Sequence, residues 1–440
     1  MQRYLLQVMC FVTWLLPSLA SAQNLHEREA EFLDTAPLIG EPLPEVNVYS
    51  ADGRPFLTSN LRGHYTVLTF GCLTCPPSMW SISGLEAVYR DYAPKGVEFF
   101  FIYKSLAHPE LAGNYIQPFT LEERMAHATQ AKEQFGTQIP WVVDAMDNRL
   151  KRALGDRPNS QFLIDPQGIV VRKRAWSNPA LVRADLEELV GPVDQITREE
   201  DLSLKFSLPL KDKAMRNVVP RVARTRMTAI VTEPVIEPSA LPFYAKLRAE
   251  ASADLLSTGK GEMYIGFHLD PFQGGTWNNL AGALAFRMEA SENTKTEPSE
   301  MTASLPAIAS DADPREFFVE ISAWPVDEPL TLVVNYFVCA SDETCLAVEQ
   351  RYRLHRKRDI DGGGARGAGA GYWDAEGFVS RLLLGDENDD GKIAKLEAAG
   401  IILPHFDKLD SNHDGLLEQQ ELSIVADWLN HHHQPGVPQR

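Results

Sequence analysis

The hydrophobic pattern of the chain first describes an alternation of strands and helices. Between about residues 38 and 191, short apolar runs rich in β-branched and aromatic residues are separated by stretches of helical periodicity, such as Leu121 to Phe135. A turn at Asp165-Pro166-Gln167-Gly168 joins the last apolar run to Ile169-Val170-Val171, so the predicted sheet ends in a hairpin. This pattern predicts an α/β domain over residues 23–195. The predicted strands are Tyr65 to Phe70, Val97 to Tyr103, Trp141 to Asp144 and Gln161 to Asp165.

The pattern then changes to consecutive strand-like segments. Over residues 200–358 these segments are separated by Pro, Gly and Ser, which predicts an antiparallel β-sandwich domain. Residues 359–371 are mostly Gly and Ala and predict a flexible linker, because this composition cannot bury a core. The predicted strands of the second domain are Glu262 to His268, Leu284 to Glu289, Phe317 to Ile321 and Leu332 to Val338.

Two acidic segments near the C-terminus share one spacing of side-chain oxygens. Both fit the pattern D-x-[DN]-x-[DN]-G-x5-E in full, over Asp386 to Glu397 and Asp410 to Glu421. Calcium takes six to eight oxygen ligands, and glycine at position 6 permits the sharp turn that brings them together. The spacing predicts an all-α EF-hand pair over residues 372–433 that binds two Ca²⁺ ions. The predicted ligands are Asp386, Asn388, Asp390, the Lys392 carbonyl and Glu397 in the first loop, and Asp410, Asn412, Asp414, the Leu416 carbonyl and Glu421 in the second.

Further details of the two loops follow from the same alignment. Ile393 and Leu417, both at position 8, are predicted to pair as a short β-bridge. Glu418 at position 9 of the second loop is expected to assist calcium binding there, which predicts the tighter site. Calcium has either a structural or a sensing role, and its abundance outside cells favours the structural one. Phe378, Leu382, Phe406 and Ile424 are expected to form the helix-face core.

The N-terminus and the overall charge restrict the location and the partners. Arg3, the apolar run from Tyr4 to Leu16, and Ala20-Ser21-Ala22 predict a signal peptide over residues 1–22 and export to the periplasm or the extracellular space. An uncleaved anchor is the alternative. Later stretches lack the roughly 20 apolar residues of a membrane span, so no transmembrane segment is expected in the mature chain. The net charge of -18 argues against nucleic-acid binding.

One cysteine pair lies where an α/β sheet places its chemistry, after a buried strand and before a helix. In the segment Cys72-Leu73-Thr74-Cys75-Pro76-Pro77, Pro76 is favoured at the first helical position, so Cys75 becomes the N-cap. Free N–H groups and the helix dipole there stabilise a thiolate, which predicts a low pKa and a nucleophilic role for Cys75. Cys72 is placed to resolve a mixed disulfide. The alternative is that the two cysteines form an inert disulfide. In either case the alternation of strands and helices indicates an α/β fold of thioredoxin type.

The segment Val67 to Pro77 resembles the active-site segment of the iodothyronine deiodinases, with Cys75 at the selenocysteine position. Ile102 to His108 is similar to the strand of that family that ends in Ala-His, and Val142 to Pro158 is similar to its next block, within a resemblance over roughly residues 65–191. This resemblance implies a thioredoxin-like fold, thiol-dependent oxidoreductase chemistry, and an acid–base role for His108. A surface histidine is the alternative for that residue.

The sequence departs from the deiodinase pattern at several positions. Cysteine replaces selenocysteine, Ser105 and Leu106 stand in place of a Glu pair, and Ser160 stands in place of an Arg. Asn159 occupies the position at which thioredoxin relatives carry a cis-proline. A thiol–disulfide or peroxide substrate with a thiol reductant is therefore expected in preference to an iodothyronine.

The second cysteine pair, Cys339 and Cys345, lies at the end of a predicted strand in the β domain. This segment resembles the redox-active hairpin in the N-terminal immunoglobulin-like domain of the bacterial transmembrane thiol-disulfide interchange protein. The pair either relays electrons to or from Cys72 and Cys75 or staples a loop, and the staple is favoured.

Together these patterns predict an exported, calcium-binding thiol oxidoreductase. One alternative is a calcium-dependent binding or scaffold protein with an inert thioredoxin fold. A second alternative is a reductive dehalogenase that acts on iodothyronine-like aromatic compounds. The oligomeric state does not follow from the sequence.

Overall fold

The structure of the 440-residue chain is a computed structural model. It describes residues 30–106, 116–155, 157–202, 204, 218–219, 222, 227–237, 242–341, 344–359, 390–395, 398, 402 and 406–423. The described residues divide into two compact units: those within 1–104, 120–207 and 373–432 form the first, and those within 105–119 and 208–372 form the second. The predicted signal peptide and residues 360–371 of the predicted linker lie outside the described residues.

The first unit is built on a seven-stranded mixed sheet. Strands β3, β4 and β5 run parallel in its centre, and the antiparallel hairpins β1–β2 and β6–β7 complete its two sides in the order β2-β1-β5-β4-β3-β6-β7. The strands are β1 (Asn47–Ser50), β2 (Pro55–Leu57), β3 (Thr66–Gly71), β4 (Glu98–Tyr103), β5 (Trp141–Val143), β6 (Gln161–Ile164) and β7 (Val170–Arg174). The predicted α/β domain with a closing hairpin is confirmed.

The helices that accompany this sheet include α1 (Pro76–Tyr92), α2 (Leu121–Phe135), α3 (Arg149–Ala153) and α4 (Pro179–Val190), and residues 30–33 are also helical. Helix α2 has the predicted bounds because both of its ends are encoded locally. The hydroxyl of Thr120 accepts a hydrogen bond from the Glu123 N–H at 3.2 Å, and Gly136 ends the helix with φ +63°. Strands β3 and β6 are buried along their whole length, so the centre of the sheet is the core of this unit.

After α4 the chain returns along helix α1. The ammonium of Lys95 donates to the carbonyl of Gly191 at 3.1 Å, and the N–H and hydroxyl of Thr197 both donate to the Asp91 carboxylate. A single 3-10 turn, Glu199–Asp201, then lies beside the helix. This segment, residues 191–201, is called the return segment below.

The second unit is a large antiparallel sheet that curls around one core. Strand β8 pairs with β9 through its first residues and with β18 through its later ones, so it joins the two halves of the sheet. The strands are β8 (Thr228–Pro234), β9 (Ala245–Ala251), β10 (Gly261–Leu269), β11 (Thr276–Asn278), β12 (Ala285–Glu289), β13 (Lys295–Glu297), β14 (Glu300–Thr302), β15 (Ser310–Asp311), β16 (Arg315–Ala323), β17 (Leu330–Cys339) and β18 (Cys345–Arg358), with one helix, α5 (Ala253–Thr258).

Side chains from both halves of this sheet meet in one cluster, which includes Phe267 and Phe317 from one half and Phe286, Leu332 and Tyr336 from the other. On β17 the inward positions alternate with more exposed ones, as expected for a sheet with one buried face. The four strands predicted here are confirmed, with their ends extended by one or two residues or shortened by one.

The described part of the C-terminal segment has a short strand pair, a helical turn before the second loop, and further helical residues at 419–423. Strand β19 (Ile393–Ala394) pairs with β20 (Leu416–Leu417), and α6 (Phe406–Leu409) precedes the second loop. The predicted pairing of Ile393 with Leu417 is confirmed, and both are fully buried in a small core with Phe406. The described residues do not show an all-α pair, and Phe378, Leu382 and Ile424 lie outside them. Among the described residues, no helix is long and apolar enough to cross a membrane.

Candidate redox site and calcium loops

The first cysteine pair lies between the central strand β3 and helix α1. Cys75 is the N-cap of the helix, with φ -104° and ψ 104°, and Pro76 follows it at the first helical position. The Cys75 N–H lies 3.4 Å from the Cys72 carbonyl, so the two cysteines form one tight turn. The predicted N-cap position of Cys75 is therefore confirmed. The turn places both sulfur atoms at the carboxyl end of a parallel strand, where α/β proteins commonly bind ligands.

The two thiols are reduced and buried, and they hydrogen-bond to each other. Cys72 is 0% exposed and Cys75 is 2% exposed, so a substrate has direct access to little of either side chain. The Sγ of Cys72 also lies 3.6 Å from the hydroxyl oxygen of Thr74. This is the arrangement of a dithiol before oxidation, because the sulfur atoms are already neighbours.

The electrostatics of Cys75 differ from the prediction. Its thiol pKa is raised well above the ordinary value of 9.0, first because Cys72 hydrogen-bonds to it and then because the thiol is buried, and charge on Cys72 acts in the same direction. The hydroxyl and the N–H of Ser78 oppose this shift, as groups that stabilise a thiolate should. The expectation of a low pKa was therefore wrong, because it took account of the helix N-terminus but not of burial or of the second thiol.

Ser78 and Asn159 are site residues whose roles were not predicted from the sequence. The side-chain amide of Asn159 donates to the Phe70 carbonyl at 2.8 Å and to the Ser78 hydroxyl at 3.3 Å, and its backbone carbonyl accepts the Ser177 N–H at 2.9 Å. Asn159 thus ties the end of β3 to the first turn of α1. The available signal was spacing, since Ser78 is the third residue of a helix capped by Cys75, where backbone N–H groups lack helical partners.

The β4 and β5 edge of the site is held by buried polar side chains. The guanidinium of Arg124 donates to the carbonyl of Ala145 at 2.6 Å and to the side-chain oxygen of Asn148 at 2.9 Å. The Asp144 carboxylate accepts the N–H groups of Leu150 at 3.0 Å and Lys151 at 2.8 Å, and so satisfies the start of α3. Burial raises the pKa of Asp144, although the two N–H groups oppose the shift. These contacts give the segment after β5 a structural role.

The other residues named from the deiodinase resemblance are only partly described. Ser105, Leu106 and Ser160 are buried, and the Leu106 N–H and carbonyl both hydrogen-bond to the Gln117 side chain at 2.9 Å. His108 lies outside the described residues, so its acid–base role stays a prediction.

The second cysteine pair is a disulfide in the second unit. Cys339 ends β17, Cys345 begins β18, and the two residues are directly opposite each other in the strand register, with Cα atoms 4.0 Å apart. Cys345 is exposed and Cys339 is partly exposed. The bond closes the end of a long hairpin, which is the arrangement of a staple. The relay stays the untested alternative.

The second calcium loop is described along its whole length. Gly415 at position 6 has φ +82°, which provides the expected turn. The Asp410 carboxylate accepts the Asp414 N–H at 3.1 Å and the Gly415 N–H at 2.8 Å, and the Asn412 side-chain oxygen accepts the Asp414 N–H at 2.9 Å. The side chains at positions 1 and 3 are thereby directed into the concave side of the loop.

The glutamate at position 12 closes the same loop. Glu421 accepts the Ser411 N–H at 2.8 Å and the Glu418 N–H at 3.1 Å. Burial acts to raise the pKa of Glu421, but these hydrogen bonds and the one from the Ser411 hydroxyl together lower it. The side chain is therefore held as a carboxylate, the form that binds a cation.

Several observations bear on how well calcium fits this loop. Asp410 and Glu421 are both buried although they carry like charges, and their partners in the loop are N–H groups. In the described ranges no three His, Cys, Asp or Glu side chains converge closely enough to hold a metal ion. The donor set consists of oxygens alone, as calcium requires, and Asp410, Asn412, Asp414, Glu421 and the Leu416 carbonyl would hold the ion.

The first loop is described from its position 5 to its position 10. Gly391 at position 6 has φ +79°, and Asp390 accepts the Lys392 N–H at 2.9 Å. The Lys392 ammonium lies 2.6 Å from the Glu418 carboxylate, so Glu418 pairs with the other loop at the position where ligand assistance was expected. Asp386, Asn388 and Glu397 lie outside the described residues.

Comparison with known proteins gives a family match to the N-terminal part of the chain and matches to solved structures. The family model for iodothyronine deiodinase matches residues 24–189, which is under half of the chain. A putative thiol:disulfide interchange protein DsbE from Chlorobium tepidum is 18% identical, with 34% of this chain and 94% of that chain covered and a TM-score of 0.28. A secreted Mycobacterium tuberculosis disulfide oxidoreductase is 14% identical, with 36% and 91% covered and a TM-score of 0.23. The family match supports a thiol-dependent oxidoreductase in residues 24–189.

Proposed function

We propose that this chain is an exported, calcium-binding thiol oxidoreductase. The observation that carries the proposal is the Cys72/Cys75 pair, two reduced and hydrogen-bonded thiols at the junction of the central strand and helix α1. The deiodinase-family match over the same residues supports it. The predicted signal peptide and the Cys339–Cys345 disulfide support export, since disulfides persist in oxidising compartments.

The proposed reaction is thiol–disulfide exchange. The Cys75 thiolate attacks one sulfur of a substrate disulfide, forms a mixed disulfide and releases the first substrate thiolate. The Cys72 thiolate then attacks the Cys75 sulfur, which releases the second substrate thiol and forms the Cys72–Cys75 bond. The substrate gains two electrons and the pair loses two, which a thiol reductant restores. His108 would supply protons to the departing thiolates.

Ser78 and Asn159 act as positioning residues in this reaction. Ser78 stabilises a thiolate on Cys75, and Asn159 holds the Ser78 hydroxyl at 3.3 Å. The raised pKa of Cys75 disfavours its thiolate near neutral pH. The exchange rate should therefore rise with pH through the alkaline range.

The calcium part of the proposal concerns the C-terminal loops. Two ions would be held by the loop oxygens, and their main effect would be to stabilise the paired loops. The support is the confirmed Ile393–Leu417 pairing and the turn geometry at Gly391 and Gly415.

The test is differential alkylation of Cys72 and Cys75 with mass spectrometry, in glutathione buffers that contain calcium. A reversible disulfide with a potential above roughly -300 mV is expected, since catalytic pairs lie above that value. A pair that never oxidises, or that stays oxidised in every buffer, would contradict the redox function. That outcome would favour a calcium-dependent scaffold instead.

Reductive dehalogenation is a second candidate, and the family match over residues 24–189 favours it. Its test is the release of iodide from an iodinated phenol in the presence of a dithiol. Release that is lost in Cys75→Ser but kept in Cys339→Ser would support this activity.

A further inference from the structure

Glu199 in the return segment has two partners from different parts of the first unit. One of its carboxylate oxygens, Oε2, accepts a hydrogen bond from the Ser83 hydroxyl of α1 at 2.9 Å. The same oxygen lies 2.6 Å from the ammonium of Lys408, which belongs to α6 in the C-terminal segment. A single carboxylate oxygen thus links helix α1, which Cys75 caps, to the helix that leads into the second calcium loop.

The approach of Glu199 to helix α1 depends on a glycine. A Cβ atom on Gly84 would lie 2.8 Å from the other Glu199 oxygen and 2.7 Å from Pro179, closer than such atoms can approach. On one side of this turn, the Thr197 N–H donates a hydrogen bond to the Asp91 carboxylate. On the other side, the Leu202 N–H donates to the Glu199 carbonyl at 3.0 Å. Glu199 is therefore fixed against the helix before Lys408 contacts it.

Lys408 is fixed in a comparable way on its own side. Phe406 of the same helical turn is buried in the small core with Ile393 and Leu417, and the Asp410 N–H bonds the Phe406 carbonyl at 2.9 Å. Asp410 supplies the first predicted ligand of the second loop. An ion that fixes this ligand would also fix the end of α6 from which Lys408 projects.

We infer that Glu199, Ser83 and the turn around them form a docking surface for the calcium-loop segment, with Lys408 as the contacting residue. Calcium in the second loop is thereby coupled to the position of helix α1 and of the return segment. The inference rests on the calcium part of the proposed function but not on its redox part. Coupling of this kind is reciprocal, so a docked Lys408 must raise the affinity for calcium as much as calcium favours docking.

The contact is an ion pair between partly exposed side chains, with 54% of Lys408 and 35% of Glu199 accessible. Such pairs have small effects, so the expected change in calcium affinity is about twofold to fivefold. Salt should reduce the effect because the pair is partly screened by solvent ions.

The experiment is calcium titration by calorimetry on the full chain, with Glu199→Gln, Lys408→Gln and the double variant. Glu200→Gln is the matched control, since it removes the same charge from the same turn, where Glu200 makes a 3.9 Å contact with the exposed Arg198. Amide hydrogen exchange of residues 196–202, with and without calcium, gives a second measurement that does not depend on affinity.

We expect each single variant to weaken calcium binding about twofold to fivefold, the double variant to be no weaker than the singles, and Glu200→Gln to bind as the unaltered chain does. Calcium should slow exchange at residues 196–202 in the unaltered chain but not in Glu199→Gln. Calcium binding with equal affinities in Glu199→Gln and Glu200→Gln would overturn the docking inference alone. A chain that binds no calcium would overturn this inference together with the calcium part of the proposed function.

Discussion

The two cysteine pairs of this chain differ in almost every physical respect. Cys72 and Cys75 are reduced, buried and placed where a parallel strand meets a helix, whereas Cys339 and Cys345 are oxidised, more exposed and face each other across an antiparallel hairpin. Proximity of two cysteines is common to both. The difference lies in what surrounds the sulfur atoms, because Ser78 places a hydroxyl and an N–H group beside Cys75 that can stabilise a thiolate.

The largest expected effect is on disulfide-reductase activity, which should depend on the first cysteine pair and not on the second. Cys75→Ser should reduce disulfide-reductase activity by about 1,000-fold or more, because the attacking sulfur is removed. The double variant Cys339→Ser, Cys345→Ser should keep full turnover with every reductant, measured by reduction of a small disulfide. A large loss of turnover in the double variant would show that the second pair relays electrons. The two pairs would then no longer differ in function.

The next effect concerns stability. Replacing Cys339 and Cys345 together by Ala should lower the free energy of unfolding by about 2 kcal/mol, because the short closed loop no longer restricts the unfolded chain. The measurement is denaturant unfolding followed by tryptophan fluorescence. Chemical reduction of the unaltered chain should give a similar loss, and an unchanged midpoint in both cases would contradict the staple.

The first pair should make stability depend on alkaline pH. Since the pKa of Cys75 is raised in the folded protein, the stabilisation is complete below the ordinary thiol pKa of 9.0 and is lost as pH rises towards the folded value. The free energy of unfolding of the reduced chain should fall by at most about 1.4 kcal/mol per pH unit above pH 9 from this group. The fall should be shallower in Cys75→Ser when both are measured in urea, and equal slopes would count against the raised pKa.

The smallest expected effect is on the rate at which Cys75 is alkylated, which reports how well its surroundings stabilise a thiolate. Ser78→Ala should slow alkylation of Cys75 about fivefold at fixed pH, as expected for the loss of one hydrogen bond worth about 1 kcal/mol. Ser81→Ala is the matched control, because its buried hydroxyl donates to the Ser78 carbonyl at 3.1 Å. Equal rates in the two variants would mean that Ser78 does not act on the sulfur.

Much of the fold could be predicted from local signals. The bounds of α2 follow from Thr120 and Gly136, and the pairing of Ile393 with Leu417 follows from the alignment of the loops. Strand β9 was not predicted, because Ala245–Ala251 alternates alanine and one leucine with charged residues of low strand propensity and is held there by its neighbours.

The candidate site was predicted in position but not in electrostatics. The N-cap position of Cys75 is a local property, and Pro76 encodes it. The raised pKa of Cys75 comes from burial and from Cys72, and the contact of Asn159 with Ser78 joins residues that are 81 positions apart. Glu418 was expected at calcium, and its pairing with Lys392 depends on how the two loops face each other. Such properties require the tertiary structure.

The position of the second disulfide has a consequence for biosynthesis. Strands β17 and β18 are paired over ten residues, from Leu330↔Leu354 to Cys339↔Cys345. A slip of one residue would turn every side chain of one strand to the opposite face and would move the two cysteines out of opposition. Oxidation at the end of this hairpin would therefore favour the native register, and the bond would then act as a check on strand alignment as the chain folds, as well as a stabilising link afterwards.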